Sequence, residues 1–133
     1  MVNWTSVAIG FVVTFVLETI STLFLSLDVA VSIFIGVFAP VIGGLIAAYW
    51  SGGNFKEGAL NGGLAGGTGT LIAAIIFLPG NLIYIAENAV ISFIINGILG
   101  AIGGLIGIIS KRNPKEKEEM EDAIKGENPS QEE

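Results

Sequence analysis

The chain has 133 residues, of which 52% are hydrophobic and only 14% are charged, and its mean hydropathy is +0.76. This balance excludes an ordinary soluble domain, which carries about 25% charged residues, and the net charge of −6 argues against a nucleic-acid-binding surface. Cysteine and histidine are both absent, which excludes disulfides, thiolate or histidine metal sites, and Ser-His-Asp or Cys-His catalysis. We therefore expect no metal, no cofactor and no enzymatic activity.

Four apolar segments are long enough to cross a bilayer, because a hydrocarbon core about 30 Å thick needs a helix of about 20 residues. These segments cover residues 7–25, 29–50, 58–78 and 88–110. They predict an all-α polytopic membrane protein whose four transmembrane helices form two hairpins. Residues 1–110 would make up this membrane domain, and residues 111–133 a charged tail that is partly helical or disordered.

In the first hairpin, Trp4 is placed as an anchor at the membrane interface. Residues 26–28 form the turn between the first two helices, and the Asp28 carboxylate can accept hydrogen bonds from the exposed amides of the second helix. Residues 51–54 contain two glycines and separate this hairpin from the next one.

In the second hairpin, Pro79 and Gly80 are expected to stop the third helix. Residues 81–87 are too few to cross the membrane. They are predicted to form a loop that places Tyr84 at headgroup depth before the fourth helix begins at about Asn88.

All six basic residues fall on one side of the four predicted spans. Lys56 lies between the second and third helices, and the other five follow the fourth helix. Because basic residues near helix ends are retained in the cytoplasm, the pattern predicts that both termini are cytoplasmic and that the chain lies in the cell membrane.

The tail contains eight of the twelve acidic residues. Asn113 and Pro114 resemble the start of a short helix, and residues 128–133 are expected to be disordered. The tail could be a solubilising segment, or it could dock on a cytoplasmic protein or on anionic lipid headgroups.

The segments 41–47 (VIGGLIA) and 101–107 (AIGGLIG) are similar and lie 60 residues apart. This likeness predicts an internal repeat of two parallel hairpins. Chance matching in a sequence rich in glycine and isoleucine is the alternative.

Glycines recur at four-residue spacing in the predicted helices, where they allow the close backbone approach that drives helix association in lipid. Two interpretations are open: the glycines pack the helices of one chain, or one stripe faces outward and drives homo-oligomerisation. The candidate packing residues are Gly43, Gly44, Gly58, Gly62, Gly66, Gly100, Gly104 and Gly107.

Glu18 is the one ionisable residue deep in a predicted span, where an unpaired charge is costly. Thr14, Glu18 and Thr22 follow one another four residues apart, which predicts a polar stripe that faces the bundle. Because no basic residue lies at that depth, we expect a neutral carboxyl that is hydrogen-bonded across the bundle, with Asn61 and Asn96 as candidate partners. A proton or cation site is the other interpretation.

The runs APVIGGLIAAY (39–49), Gly52-Gly53 and GALNGGLAG (58–66) together resemble a family of small, mostly archaeal, four-helix membrane proteins of unknown function. The resemblance covers about residues 5–110. It implies the fold and the membrane location, and it implies no activity and no catalytic residue.

The sequence is compatible with two main functions. The first is a structural or accessory membrane component that self-associates through glycine stripes, and the alternative is a small channel or a proton- or cation-coupled permease that uses Glu18. An intramembrane enzyme is a distant third, since the sequence shows no pair of nucleophile and base. The expected partners are the lipid bilayer, a second copy of the chain and a cytoplasmic protein at the tail, but no nucleic acid.

Overall fold

The computed structural model describes residues 1–111, 119 and 121–124. Within them lie four long helices and no strand: α1 (Trp4–Phe24), α2 (Val29–Ser51), α3 (Phe55–Phe77) and α4 (Leu82–Lys111). All four are long and apolar enough to cross a membrane. The predicted all-α fold with four membrane-spanning helices is therefore confirmed, and the chain is a multi-pass membrane protein.

Polar side chains begin the first three helices: Asn3 caps α1, Asp28 caps α2 and Asn54 caps α3. The predicted cap at Asp28 is confirmed, because its Oδ1 accepts hydrogen bonds from the amides of Ala30 at 2.9 Å and Val31 at 3.1 Å. Helices α1 and α3 each begin three residues earlier than predicted. In each of these helices an asparagine side chain accepts a hydrogen bond from a first-turn amide, so the helix starts about one turn before the apolar run.

The predicted loop over residues 81–87 is wrong, because α4 begins at Leu82. The Asn81 side chain accepts a hydrogen bond from the Tyr84 amide at 2.9 Å, and the Asn81 carbonyl accepts one from Ile85 at 3.0 Å. Asn81 therefore starts the helix directly after the Pro79–Gly80 break, and Tyr84 lies in its first turn. The 30 residues of α4 span about 45 Å, which exceeds a hydrocarbon core of about 30 Å.

Helices α2 and α3 form the centre of the bundle, since each packs against all three other helices, whereas α1 and α4 lie on opposite sides of this pair. The interior is built from small residues, and Ala39, Ala47, Ala48 and Ala65 are fully buried. Large apolar side chains of all four helices point outward. This arrangement suits lipid, where close backbone contact rather than burial of large side chains holds helices together.

The segments 41–47 and 101–107 lie on α2 and α4, which pack against each other. Their proposed origin by duplication stays a prediction. Of the tail, the described residues Lys111, Glu119 and 121–124 are helical. The helix start expected at Asn113 and the disorder expected over 128–133 lie outside the described residues.

Candidate functional site

A cavity of about 240 Å³ lies between α1, α3 and α4, at the end of the bundle that carries the α1–α2 turn and the α3–α4 connection. We name it the Glu18 cavity. Its polar wall consists of Glu18, Thr22, Thr70, Ser92 and Asn96, and its apolar wall of Leu25, Ala73, Ala74, Phe77, Leu78 and Pro79. The cavity therefore combines one carboxyl group with four neutral polar side chains inside an apolar bundle.

The carboxyl group of Glu18 is half-buried and accepts no hydrogen bond from any residue of the described part of the chain. The structure brings one of its two predicted partners close: Asn96 lines the same cavity. Asn61 does not reach it. The expected hydrogen bond across the bundle is thus not made. Glu18 lines the cavity, and its Oε2 also lies near Gly36 of α2, 3.9 Å from the position that a Cβ atom there would occupy.

Two threonine hydroxyls of the cavity donate to backbone carbonyls of their own helices. Thr22 Oγ1 donates to the carbonyl of Glu18 at 2.9 Å. Thr70 Oγ1 lies 3.1 Å from each of the carbonyl oxygens of Gly66 and Gly67. Both hydroxyl protons therefore take part in hydrogen bonds within the protein, whereas the oxygen lone pairs stay available to accept hydrogen bonds.

The predicted polar stripe of α1 is divided between two environments. Thr14 is fully buried, donates to the Gly10 carbonyl at 3.0 Å and does not line the cavity. A Cβ atom placed on Gly69 of α3 would lie 2.6 Å from the Thr14 Cβ, so α1 and α3 are in tight contact at this level. Glu18 and Thr22 line the cavity one and two turns further along, where Glu18 is half-buried and Thr22 is exposed.

Asn61 lies at the opposite end of the bundle and is only 1% exposed. Its Oδ1 accepts a hydrogen bond from the Asn3 amide at 3.0 Å, while its Nδ2 has no partner among the described residues. It lines a second cavity of about 490 Å³, beside the ion pair between the Met1 ammonium and Glu57. Its surroundings are therefore separate from those of Glu18.

All eight glycines predicted to pack helices are buried, and each contacts another helix of the same chain. A Cβ atom on Gly44 or on Gly62 would overlap the carbonyl oxygen of Gly100, and one on Gly107 would overlap that of Leu45. These residues accordingly hold α2, α3 and α4 at backbone contact.

Two further glycines have a different position. Gly63 and Gly97 are half-buried and line a shallow apolar groove of about 300 Å³ on the outer face between α3 and α4. A Cβ atom on Gly97 would meet no atom closer than 3.6 Å. This groove is open to lipid or to another helix.

A family model matches residues 4–110, and its description is a family of unknown function, DUF5518. The chain belongs to DUF5518. The match begins at the first residue of α1 and ends one residue before the end of α4, so DUF5518 corresponds to the four-helix bundle without the tail. The resemblance to a family of unknown function is thereby confirmed, and an archaeal origin stays a prediction. Neither a curated protein nor a solved structure matches the chain.

Sequence reasoning missed two features of this DUF5518 chain. Ser92 lines the Glu18 cavity, and its spacing could have revealed it, since Ser92 and Asn96 lie four residues apart in an apolar helix. Ser21 and Ser32 join α1 to α2 through reciprocal hydrogen bonds from each hydroxyl to the other residue's carbonyl, at 2.7 and 2.8 Å. No spacing rule within one helix predicts such a pair between helices.

Proposed function

We propose that the chain is a small channel or a proton- or cation-coupled permease in which Glu18 is the ion-binding group. The main support is that Glu18 lines a cavity with a polar and an apolar wall at one end of the bundle, and that its carboxyl has no hydrogen-bond partner in the described residues. Ionisable residues inside membrane helices are costly and mark ion or proton pathways when they face a cavity.

A purely structural role fits this geometry less well. A carboxyl kept for packing should hydrogen-bond to a neighbouring helix, because a buried polar group without a partner lowers stability. Asn96 is near enough to line the same cavity, yet it makes no such bond. The carboxyl is therefore available to a proton or a cation.

The test is flux of protons and cations into liposomes that contain the purified full chain. Glu18→Gln should reduce the flux to that of empty liposomes, because the amide is nearly isosteric but can neither ionise nor bind a proton. Glu87→Gln is the matched control: Glu87 is exposed in α4, and its replacement should leave the flux unchanged. Flux that persists in Glu18→Gln contradicts the proposal.

A second candidate function is that of a structural or accessory component that self-associates. The eight buried glycines already hold one chain together, so a second copy would have to use the groove at Gly63 and Gly97. Small residues there would allow the close approach that helix pairs in lipid require.

Crosslinking in native membranes tests self-association, and a chain without cysteine is well suited to it. Ile94→Cys places a thiol in the groove and should give a crosslinked dimer. Val12→Cys, on the exposed face of α1, should not. Absence of a dimer with Ile94→Cys, or equal crosslinking at both positions, counts against this function.

We further infer that the chain lies in the cell membrane with both termini in the cytoplasm and that it has no catalytic activity. Support for the orientation comes from Lys56 and Lys111, which lie at the same end of the bundle as Met1, where Lys111 Nζ is 5.7 Å from the Tyr49 ring centroid. The opposite end carries the acidic residues Asp28 and Glu87.

A further inference from the structure

The polar wall of the Glu18 cavity is rich in hydrogen-bond acceptors. An ionised carboxylate accepts and cannot donate. The hydroxyl protons of Thr22 and Thr70 are committed to backbone carbonyls, so these side chains offer a ligand only their oxygen lone pairs. A molecule that complements these three side chains donates hydrogen bonds and carries positive charge.

The remaining polar groups fit the same ligand. The side chains of Ser92 and Asn96 make no hydrogen bond within residues 1–111, so the hydroxyl and the amide can accept from a donor ligand as well as donate. Among the described residues that line the cavity, Glu18 is the one that titrates, and none is basic. A cation would meet no like charge on the cavity wall.

The apolar wall favours an organic cation over a metal ion as the ligand. Metal ions of this kind need polar surroundings: Ca²⁺ is bound by six or more oxygen ligands, and Mg²⁺ is bound by water molecules and carboxylates. Here about half of the lining is apolar and includes the ring of Phe77. A metal ion would leave that half of the cavity facing water, whereas an alkyl group would cover it.

Resting on the proposed function, we propose that the ligand of the Glu18 cavity is a small primary alkylammonium ion. Its ammonium group donates to Glu18 and to the lone pairs of Thr22 and Thr70, and its alkyl chain packs against Phe77 and the neighbouring apolar residues. A volume of about 240 Å³ lies below the roughly 300 to 1,000 Å³ of pockets for drug-sized ligands, so the ion is small.

The experiment measures binding of butylammonium to the purified full chain in lipid nanodiscs, by titration calorimetry. Butylammonium should bind more tightly than methylammonium, because the longer chain covers more of the apolar wall, and butanol and Na⁺ should not compete. Glu18→Gln should weaken binding about tenfold or more, since a hydrogen bond to a charged group is lost. Glu87→Gln should bind as the parent does.

The ligand series uses the unaltered chain, so it does not depend on the folding of a variant. Equal affinity for methylammonium and butylammonium, or effective competition by Na⁺, would overturn the alkylammonium assignment and leave the cation-coupled function standing. Proton flux that requires Glu18, together with no detectable binding of butylammonium, would also overturn the alkylammonium assignment and leave the proposed function standing. Flux and binding that are both unaffected by Glu18→Gln would refute the two proposals together.

Discussion

Gly100 lies where the backbones of three helices meet. Its carbonyl oxygen lies where a Cβ atom on Gly44 of α2 or on Gly62 of α3 would have to fit. A Cβ atom on Gly100 itself would overlap the Gly62 carbonyl and would lie 3.0 Å from the Gly66 Cα. The opposing atoms belong to the backbone, so they cannot move aside as the end of a flexible side chain can. A single methyl group at this position would separate α3 from α4.

The first prediction follows from the contrast between Gly100 and Gly97. Gly100→Ala should lower the free energy of unfolding by about 1 to 3 kcal/mol, the usual cost of overpacking a tight contact. Gly97→Ala adds the same methyl group to the same helix with no atom closer than 3.6 Å, so its effect should stay within about 0.5 kcal/mol. Reversible unfolding in mixed detergent micelles measures both. Similar losses for the two variants would show that the close approach at Gly100 is not what stabilises the bundle.

Sequence reasoning located Glu18 and named Thr22 and Asn96 beside it, but it did not show that Thr70 and Ser92 line the same cavity. The position of a residue along its helix indicates its depth in the membrane, and this identified Glu18 as an intramembrane carboxyl. It does not say which helices adjoin. In the predicted spans Glu18 and Asn96 both lie toward the outer end, whereas Asn61 lies near the inner start of the third helix, so depth alone already favoured Asn96. The structure agrees, since Asn96 lines the Glu18 cavity and Asn61 lies at the opposite end.

Asn81 determines where α4 begins. The sequence pattern favours a loop after Pro79 and Gly80, because both residues interrupt helices and the next long apolar run starts later. One side-chain acceptor at Asn81 is enough to start the helix before that run, since it satisfies an amide of the first turn. The existence of all four helices followed from apolar length, whereas three of the four starts depended on asparagine caps.

The second prediction concerns this helix start. Asn81→Ala should unwind the first turns of α4 at a cost of about 0.5 to 2 kcal/mol. Hydrogen exchange at the Tyr84 amide should then become faster, because that amide loses its acceptor. Asn88→Ala is a suitable comparison: Asn88 donates from its side chain to the Tyr84 carbonyl and leaves the amide untouched. Unchanged protection of Tyr84 in Asn81→Ala would refute the cap.

The whole bundle has chemically different ends, and the third prediction concerns their orientation. Lys56→Cys and Lys111→Cys should react with a membrane-impermeant maleimide only after the cytoplasmic side is opened. Leu27→Cys and Glu87→Cys should react in intact cells. Because no native cysteine is present, each signal comes from one position. Reaction of Lys56→Cys and Leu27→Cys from the same side would rule out the two-hairpin topology, and the reverse pattern would rule out the cytoplasmic termini.

Helix α3 has the lowest mean hydropathy of the four and the largest buried share, and nine of its residues, mostly glycine and alanine, are buried. During synthesis such a segment would partition into lipid less readily than its neighbours, since each glycine contributes almost no apolar surface. Both α1 and α2 precede α3 and pack against it, but its most extensive contact is with α4, which emerges from the ribosome afterwards. Stable insertion of α3 should therefore require α4. In nascent chains truncated before α4, we expect α3 to leave the bilayer.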